Sequence, residues 1–175
     1  PGCYASAVVL ALRPLVDSGD LPAGAAVTIH ALSGYSGGGR TLIEKWEDQG
    51  AKYAEIPYEA PYAMDVVHKH IPEITLYSGL LNNPHFTPAV GPFKTGMRVE
   101  VPLHKSIMSS QTTVESIWTV LHERYASEKF VNVIPMSDVS TYDDWESTYD
   151  PRECNGTNMM KISVVANPLG HVLMI

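Results

Sequence analysis

Cys3, in the opening stretch PGCYASAVVLALRPLV, stands between a glycine and an apolar run at helical spacing, which predicts a thiol in the first turn of a helix. There it faces backbone N–H groups without intrahelical acceptors and the positive end of the helix dipole. Both favour the thiolate, which is the nucleophilic form. Gly2 removes side-chain bulk beside the sulfur, so a substrate carbonyl can approach and neighbouring amides can hold the oxyanion that attack creates. The competing reading makes Cys3 a small buried hydrophobe, the common state of a free cysteine.

A partner for the thiol lies in VVHKHIPEI, where His68, His70, Pro72 and Glu73 fall within six positions. An imidazole beside a thiolate can act as acid and base for the group being transformed. Read as extended chain through His70, the segment sends the two imidazoles to opposite faces, so that only one meets a given site. Glu73 can then orient or charge-balance that ring.

The glycine-rich SGYSGGGR links an expected strand to an expected helix, the place where backbone amides converge on an anion, and Arg40 adds a fixed positive charge. Its glycines at 34, 37, 38 and 39 match neither G-x-G-x-x-G nor a Gly-Lys-Ser/Thr ending, so a plain turn with a solvated arginine stands beside the anion cradle. Cys3, His68, His70, His85 and His104 are zinc-ligand types, but no Cys-x-x-Cys or His-Glu-x-x-His spacing organises them, and no metal is expected. His30, inside an apolar run, reads as a satisfied core residue.

These residues need a scaffold. Residues 4–16 carry a helical stripe that Pro14 strains and Asp17-Ser18-Gly19 ends. AVTIHAL reads as a buried strand and Thr41–Gln49 as a helix, with residues 52–63 an ordered loop and Pro72 opening a further helix. HFTPAVGPF and GMRVEVPLH read as a hairpin or meander joined at Lys94-Thr95. Thr112 and Glu115 suggest a capping box for a helix whose stripe is Val114, Ile117, Trp118, Leu121 and Tyr125. FVNVIPM reads as a strand, SDVSTYDDWESTYDPREC as an acidic surface excursion, and NMMKISVVA with HVLMI as a hairpin about Asn167–Gly170. Strands clustered late predict α+β: one domain over 1–175, a largely antiparallel mixed sheet, helices on one face.

Composition narrows the partners. With 175 residues, 45% of them apolar, the chain can bury a core of its own. A net charge of −7 argues against nucleic acid or an anionic membrane as the main partner and for a small metabolite or a protein. Two cysteines are too few for a disulfide framework, which points to a reducing, cytoplasmic compartment. No apolar run reaches the roughly 18 to 20 residues of a membrane span, and the opening residues lack a signal peptide's basic start. Asn155-Gly156-Thr157 reads as a turn rather than a glycosylated sequon.

PGCYAS, SGYSGGGR, HKHIPEI, FTPAVGPFKTGM and NGTN, in this order and from Pro1 to Ile175, together resemble the N-acetyl-gamma-glutamyl-phosphate reductases, in their shorter variety. The resemblance implies the catalytic fold shared with aspartate-semialdehyde and glyceraldehyde-3-phosphate dehydrogenases. It also implies NADPH-dependent reduction of N-acetyl-glutamyl 5-phosphate to the semialdehyde, with phosphate release, in arginine biosynthesis. In family terms Cys3 is the nucleophile that forms a thioester and His68 is the acid/base residue, with Glu73 its neighbour. Ser33 and Gly34 approach the nicotinamide, and Arg40 lies in the substrate loop.

The family carries a Rossmann domain before the PGCY motif and a glycine-rich helical segment after the last strand. The expectation is therefore an excised catalytic and dimerisation domain, homo-oligomeric through its sheet and unable to turn over NADPH unaided. Two other functions fit the residues: a cysteine hydrolase or acyltransferase using Cys3 and His68 without a nicotinamide, and a non-catalytic interaction domain.

Overall fold

A computed structural model describes residues 1–48, 50, 52–139 and 149–175. Helix α1 (Cys3–Ser18) forms where the stripe requires, and it runs through Pro14 to Gly19, whose φ of 83° supplies the left-handed turn that ends it. Its buried face, Tyr4, Ala5, Val8, Ala11, Leu12 and Leu15, is the spine of the core. It packs on α3 (Ile71–Ser78) and α4 (Val114–Tyr125). The short α2 (Arg40–Glu47) stands apart, anchored by Trp46, which stacks on Tyr35 and tilts against Tyr53.

The main sheet joins β1 (Thr28–Gly34), β2 (Ala60–Pro61), β3 (His85–Gly91), β4 (Met97–Leu103), β7 (Val164–Ala166) and β8 (Val172–Met174), in the order β2-β3-β1-β4-β8-β7. All its pairings are antiparallel except β1 with β3, so the expected largely antiparallel α+β architecture is the one observed. A second, two-stranded parallel ladder pairs β5 (Val131–Val133) with β6 (Met160–Ile162).

Several local expectations are corrected. The segments 85–91 and 97–103 are not a hairpin: β1 lies between them, parallel to one and antiparallel to the other. NMMKISVVA is two strands, because at Ser163 the chain leaves the β5 ladder for the main sheet, while the hairpin about Asn167–Gly170 forms as β7–β8. The α4 capping box is Thr113 with Ser116, since the Thr112 hydroxyl donates to the backbone and carboxylate oxygens of Asp20. Residues 52–63 include a short 3-10 turn (Lys52–Glu55) and strand β2. The acidic excursion lies partly outside the described residues, as does Gln49; Asn155–Thr157 is turn structure.

Alternation across β1 buries Ile29 and Ala31 beneath α1 and turns His30 outward, so His30 is exposed and not a core residue. Its cross-strand neighbour is Glu100. With Leu32, Pro102, Val165 and Leu173, these residues form a sheet face on the side away from the core. No helix among the described residues is long and apolar enough to cross a membrane.

Candidate active site

Cys3 is the first residue of α1 and is exposed. Gly2, in extended conformation, caps the helix without a side chain, and the first turn holds no acidic residue. The first intrahelical donor is Ser6, whose N–H meets the Gly2 carbonyl at 2.9 Å. The amides of Cys3, Tyr4 and Ala5 therefore have no intrahelical acceptor, at the end of the helix that carries the cysteine. This is a local electrophilic environment in which a nucleophile and oxyanion donors come from the same turn.

On one side of Cys3 lies a closed cluster of rings. Tyr4, almost fully buried, meets Phe86, His70 and His68 edge-on at centroid distances of 5.4, 5.8 and 6.2 Å. Its hydroxyl donates to the Ala89 carbonyl at 3.3 Å. The two histidines were expected on opposite faces; the structure brings them together instead, with ring centroids 4.7 Å apart and both side chains buried. The reason is that residues 68–70 turn into α3 rather than running extended, and His70 is that helix's N-cap with helical backbone angles. The His70 N–H donates to His68 Nδ1 at 3.1 Å, and His68 Nε2 stands 3.4 Å from the Tyr62 hydroxyl.

Gly2 and Glu73 also acquire specific reasons. A Cβ at Gly2 would collide with the His70 imidazole, so the space expected for a substrate is taken by that ring. The Gly2 N–H donates to Glu73 Oε2 at 2.8 Å, so this carboxylate holds the backbone next to the cysteine. Burial, above all, pushes both imidazoles below their ordinary pKa; at His68 the adjacent His70 adds to the depression, and at His70 the Glu73 charge opposes it. Burial likewise pushes the Tyr4 and Tyr62 phenols up, and charge on Cys3 works in the same direction on both.

On the other side Cys3 opens into a cavity of about 800 Å³. Ser33, Gly34, Arg98, Asp150 and Cys154 also line it. Arg98 reaches Glu100 Oε1 through Nε at 2.7 Å and donates from Nη1 to the Tyr149 carbonyl at 3.2 Å. Asp150 is held down to about 2 by its hydrogen bonds from Arg152. Lys161, paired with Glu153, also borders the cavity.

The glycine-rich loop is clasped rather than open at its start. The amides of Gly34, Tyr35 and Ser36 donate to the carbonyls of Gly96, Phe93 and Lys94 at 2.9, 3.0 and 2.9 Å, and a Cβ at Gly34 would strike the Lys94 backbone. Those three amides are thus spent on protein acceptors and cannot cradle an anion. Arg40 projects into solvent, 91% exposed, and pairs with Glu44 at 2.7 Å; it does not line the cavity.

Cys3, His68 and Glu73 are thus gathered around the start of α1, Ser33 and Gly34 face the same cavity as Cys3, and Arg40 is not drawn in. Sequence reasoning missed Tyr4, Tyr62 and Arg98. Tyr4 adjoins Cys3 in the sequence, whereas nothing in the spacing singled out Tyr62 or Arg98.

The fold and site define an α+β domain with a cysteine at the start of its central helix, beside buried imidazoles. Residues 3–175 match the family described as "Semialdehyde dehydrogenase, dimerisation domain", and the chain belongs to it. Among curated proteins it is similar to the N-acetyl-gamma-glutamyl-phosphate reductases of Burkholderia lata, 38% identical over 95% of this chain and 51% of that protein, and of Rhizobium etli, 38% identical over 97% and 54%. Of solved structures it resembles aspartate semialdehyde dehydrogenase II from Vibrio cholerae, with a TM-score of 0.65 at 14% identity over 99% of this chain and 55% of that one. The last likeness concerns the fold alone. The chain spans about half the length of the curated relatives it matches.

Proposed function

We infer that this chain is the catalytic and dimerisation domain of an N-acetyl-gamma-glutamyl-phosphate reductase. The observation that carries the reading is Cys3 itself, exposed on a cavity at the one end of α1 where three backbone amides lack helical acceptors. Identity of 38% to named reductases along nearly the whole chain supports the substrate class.

In this reading the Cys3 sulfur attacks the acyl carbon of N-acetyl-glutamyl 5-phosphate, the C–O bond to phosphate breaks, and a thioester remains on Cys3. The first-turn amides hold the carbonyl oxygen while it carries negative charge. A bound NADPH would supply the hydride that reduces the thioester to the aldehyde and frees the Cys3 sulfur. Ser33 and Gly34 would meet the nicotinamide end: both are small and both line the cavity beside Cys3. His68 manages the proton of the reacting oxygen, and Glu73 acts on the site through Gly2. Arg40 reaches substrate only after release from Glu44. The sheet face with Leu32, Pro102 and Leu173 joins two copies into a homodimer, and the enzyme works in the cytoplasm.

The test is the fate of the acyl group. A protein joining this domain to a cofactor-binding half, given N-acetyl-glutamyl phosphate and NADPH, should release aldehyde and consume NADPH. This chain alone should form the thioester without consuming NADPH. Free acid as the sole product would establish a cysteine hydrolase instead. An absence of any acyl-Cys3 adduct would leave a non-catalytic interaction domain.

A further inference from the structure

We propose that the sheet face away from α1 is an acid-sensitive interface between two copies of this chain, closed while His30, His85, His104 and His171 are neutral and opened by the protons they take up. The proposal rests on the homodimer reading above and names what governs that contact.

Four of the chain's seven histidines lie on this one face. His30 on β1 has Thr87 of β3 and Glu100 of β4 as its cross-strand neighbours. His85 opens β3 opposite Thr28, and it is turned outward because the next residue, Phe86, points into the core. The pairing of Leu103 with Val172 sets His104 beside His171 one step further along, and alternation sends both to the side of Pro102 and Leu173. Their ring centroids are 4.1 Å apart, with 30° between the planes. The apolar residues Pro102 and Leu173 thus have imidazoles two positions away on their own chain segments, with more on β1 and β3. The other side of the sheet lies beneath α1, and the family is described as a dimerisation domain, so the occupant is a second copy.

Two-fold symmetry brings each residue of the face in twice, so a charge gained there meets the same charge from the other copy. Little on the face offsets it. Glu100 is the only carboxylate on the main-sheet strands among the described residues, and Arg98 Nε already holds it at 2.7 Å. Thr28 and Thr87, beside His85 and His30, are uncharged. Lys105, next to His104, adds positive charge, and a Cβ on Gly170 beside His171 would come within 3.6 Å of its Nζ.

The corner pair itself favours the neutral state. His104 Nδ1 accepts the Ser106 N–H and His171 Nδ1 accepts the Lys105 N–H, each at 3.1 Å. An imidazolium carries donors on both nitrogens, so protonation of either ring sets two donors against each other and places charge beside the neighbouring ring. Between sheets packed about 10 Å apart such charges also lose their water. Separation of the copies restores it, so separation takes up protons and acid drives it.

Sedimentation of this chain against pH is the test, read over the range in which circular dichroism shows the fold intact. The chain should be dimeric at about pH 8, and its dissociation constant should rise about a hundredfold or more between about pH 7.5 and 5.5, one proton or more per dimer. Replacing all four histidines with asparagine, whose Oδ1 can still accept a backbone amide, should hold the constant within about threefold over that range. Should that variant fail to fold, His30→Asn with His85→Asn, both at exposed strand positions, should by itself lower the slope. A wild-type dimer indifferent to pH, or histidine variants that open in acid as the wild type does, would overturn the proposal. A chain that is monomeric at about pH 8 would defeat the homodimer reading and the proposal with it. None of these readings depends on turnover, so a protein that makes no aldehyde would defeat the reductase reading and leave the result standing.

Discussion

Cys3 divides two regions that differ in almost every physical respect. Toward α3 and β3 it borders a shut cluster of Tyr4, Tyr62, His68, His70 and Phe86, where rings meet edge-on, the Tyr4 hydroxyl and both His68 nitrogens have partners, and His70 Nδ1 is buried with no partner among the described residues. Toward β4 and residues 149–163 it borders an open cavity with a largely apolar lining that includes Met97, Val101, Ile134 and Met174, and with the paired charges of Arg98 and Lys161 on it. The difference teaches that the polar groups of the closed side are fixed by packing before any ligand arrives, whereas the open side can exchange water for substrate. Preorganisation belongs to the first and recognition to the second.

The largest break in that contrast is Cys3→Ala. It should abolish the acyl adduct and lower turnover by about a thousandfold or more, with thermal stability unchanged because the side chain is exposed. Stopped-flow or quench measurement of the acyl-enzyme checks it. A retained adduct would move the nucleophile to the other cysteine, Cys154, on the same cavity.

Gly2→Ala attacks the closed side. Its Cβ must displace the His70 ring, and overpacking of this kind costs about 1–3 kcal/mol, readable from denaturant midpoints. Unaltered stability would mean that the ring cluster is looser than its geometry states. The same closure predicts an acid-side loss. Both imidazoles sit below their ordinary 6.5 in the folded state, so as pH falls below that value the unfolded chain binds protons first, and stability declines from there downward. Replacing His68 and His70 with asparagine should flatten that slope.

On the sheet face, Leu173→Glu should dissociate the proposed homodimer without disturbing the core, since Leu173 points away from buried Val172 and Met174; light scattering reads the mass. The smallest effect is expected at Arg40, whose exposed pair with Glu44 adds little stability. Arg40→Ala should leave the melting temperature where it is, and a raised KM for the acyl phosphate would show that the loop nevertheless closes on substrate.

Much of this was legible in the residues. Helices α1 and α4 follow their apolar stripes because a 3.6-residue period reports which face will be buried, whatever lies opposite. The α+β class and the late β7–β8 hairpin follow from strand pattern and turn chemistry. The site was legible in part: Cys3 at a helix start depends only on local spacing. The opposite-face reading of His68 and His70 fails because it assumes an extended backbone, whereas a turn at residues 69–70 leads directly into α3, with Pro72 in its first turn. His30 was misplaced because a short apolar strand does not say whether one face or both will be covered.

What the sequence determined by itself was the inventory and its local conformation: a cysteine in a first helical turn, two clustered histidines, a glycine-rich turn and the elements that carry them. Only the tertiary structure decided which of these meet. It slid β1 between β3 and β4, gave the space beside Gly2 to His70, spent the amides of Gly34, Tyr35 and Ser36 on the 93–96 loop, and brought the His70 amide onto His68 Nδ1. The reason is one of range. Periodicity and capping act within a few residues, whereas hydrogen-bond partners between distant segments follow from how the whole chain packs.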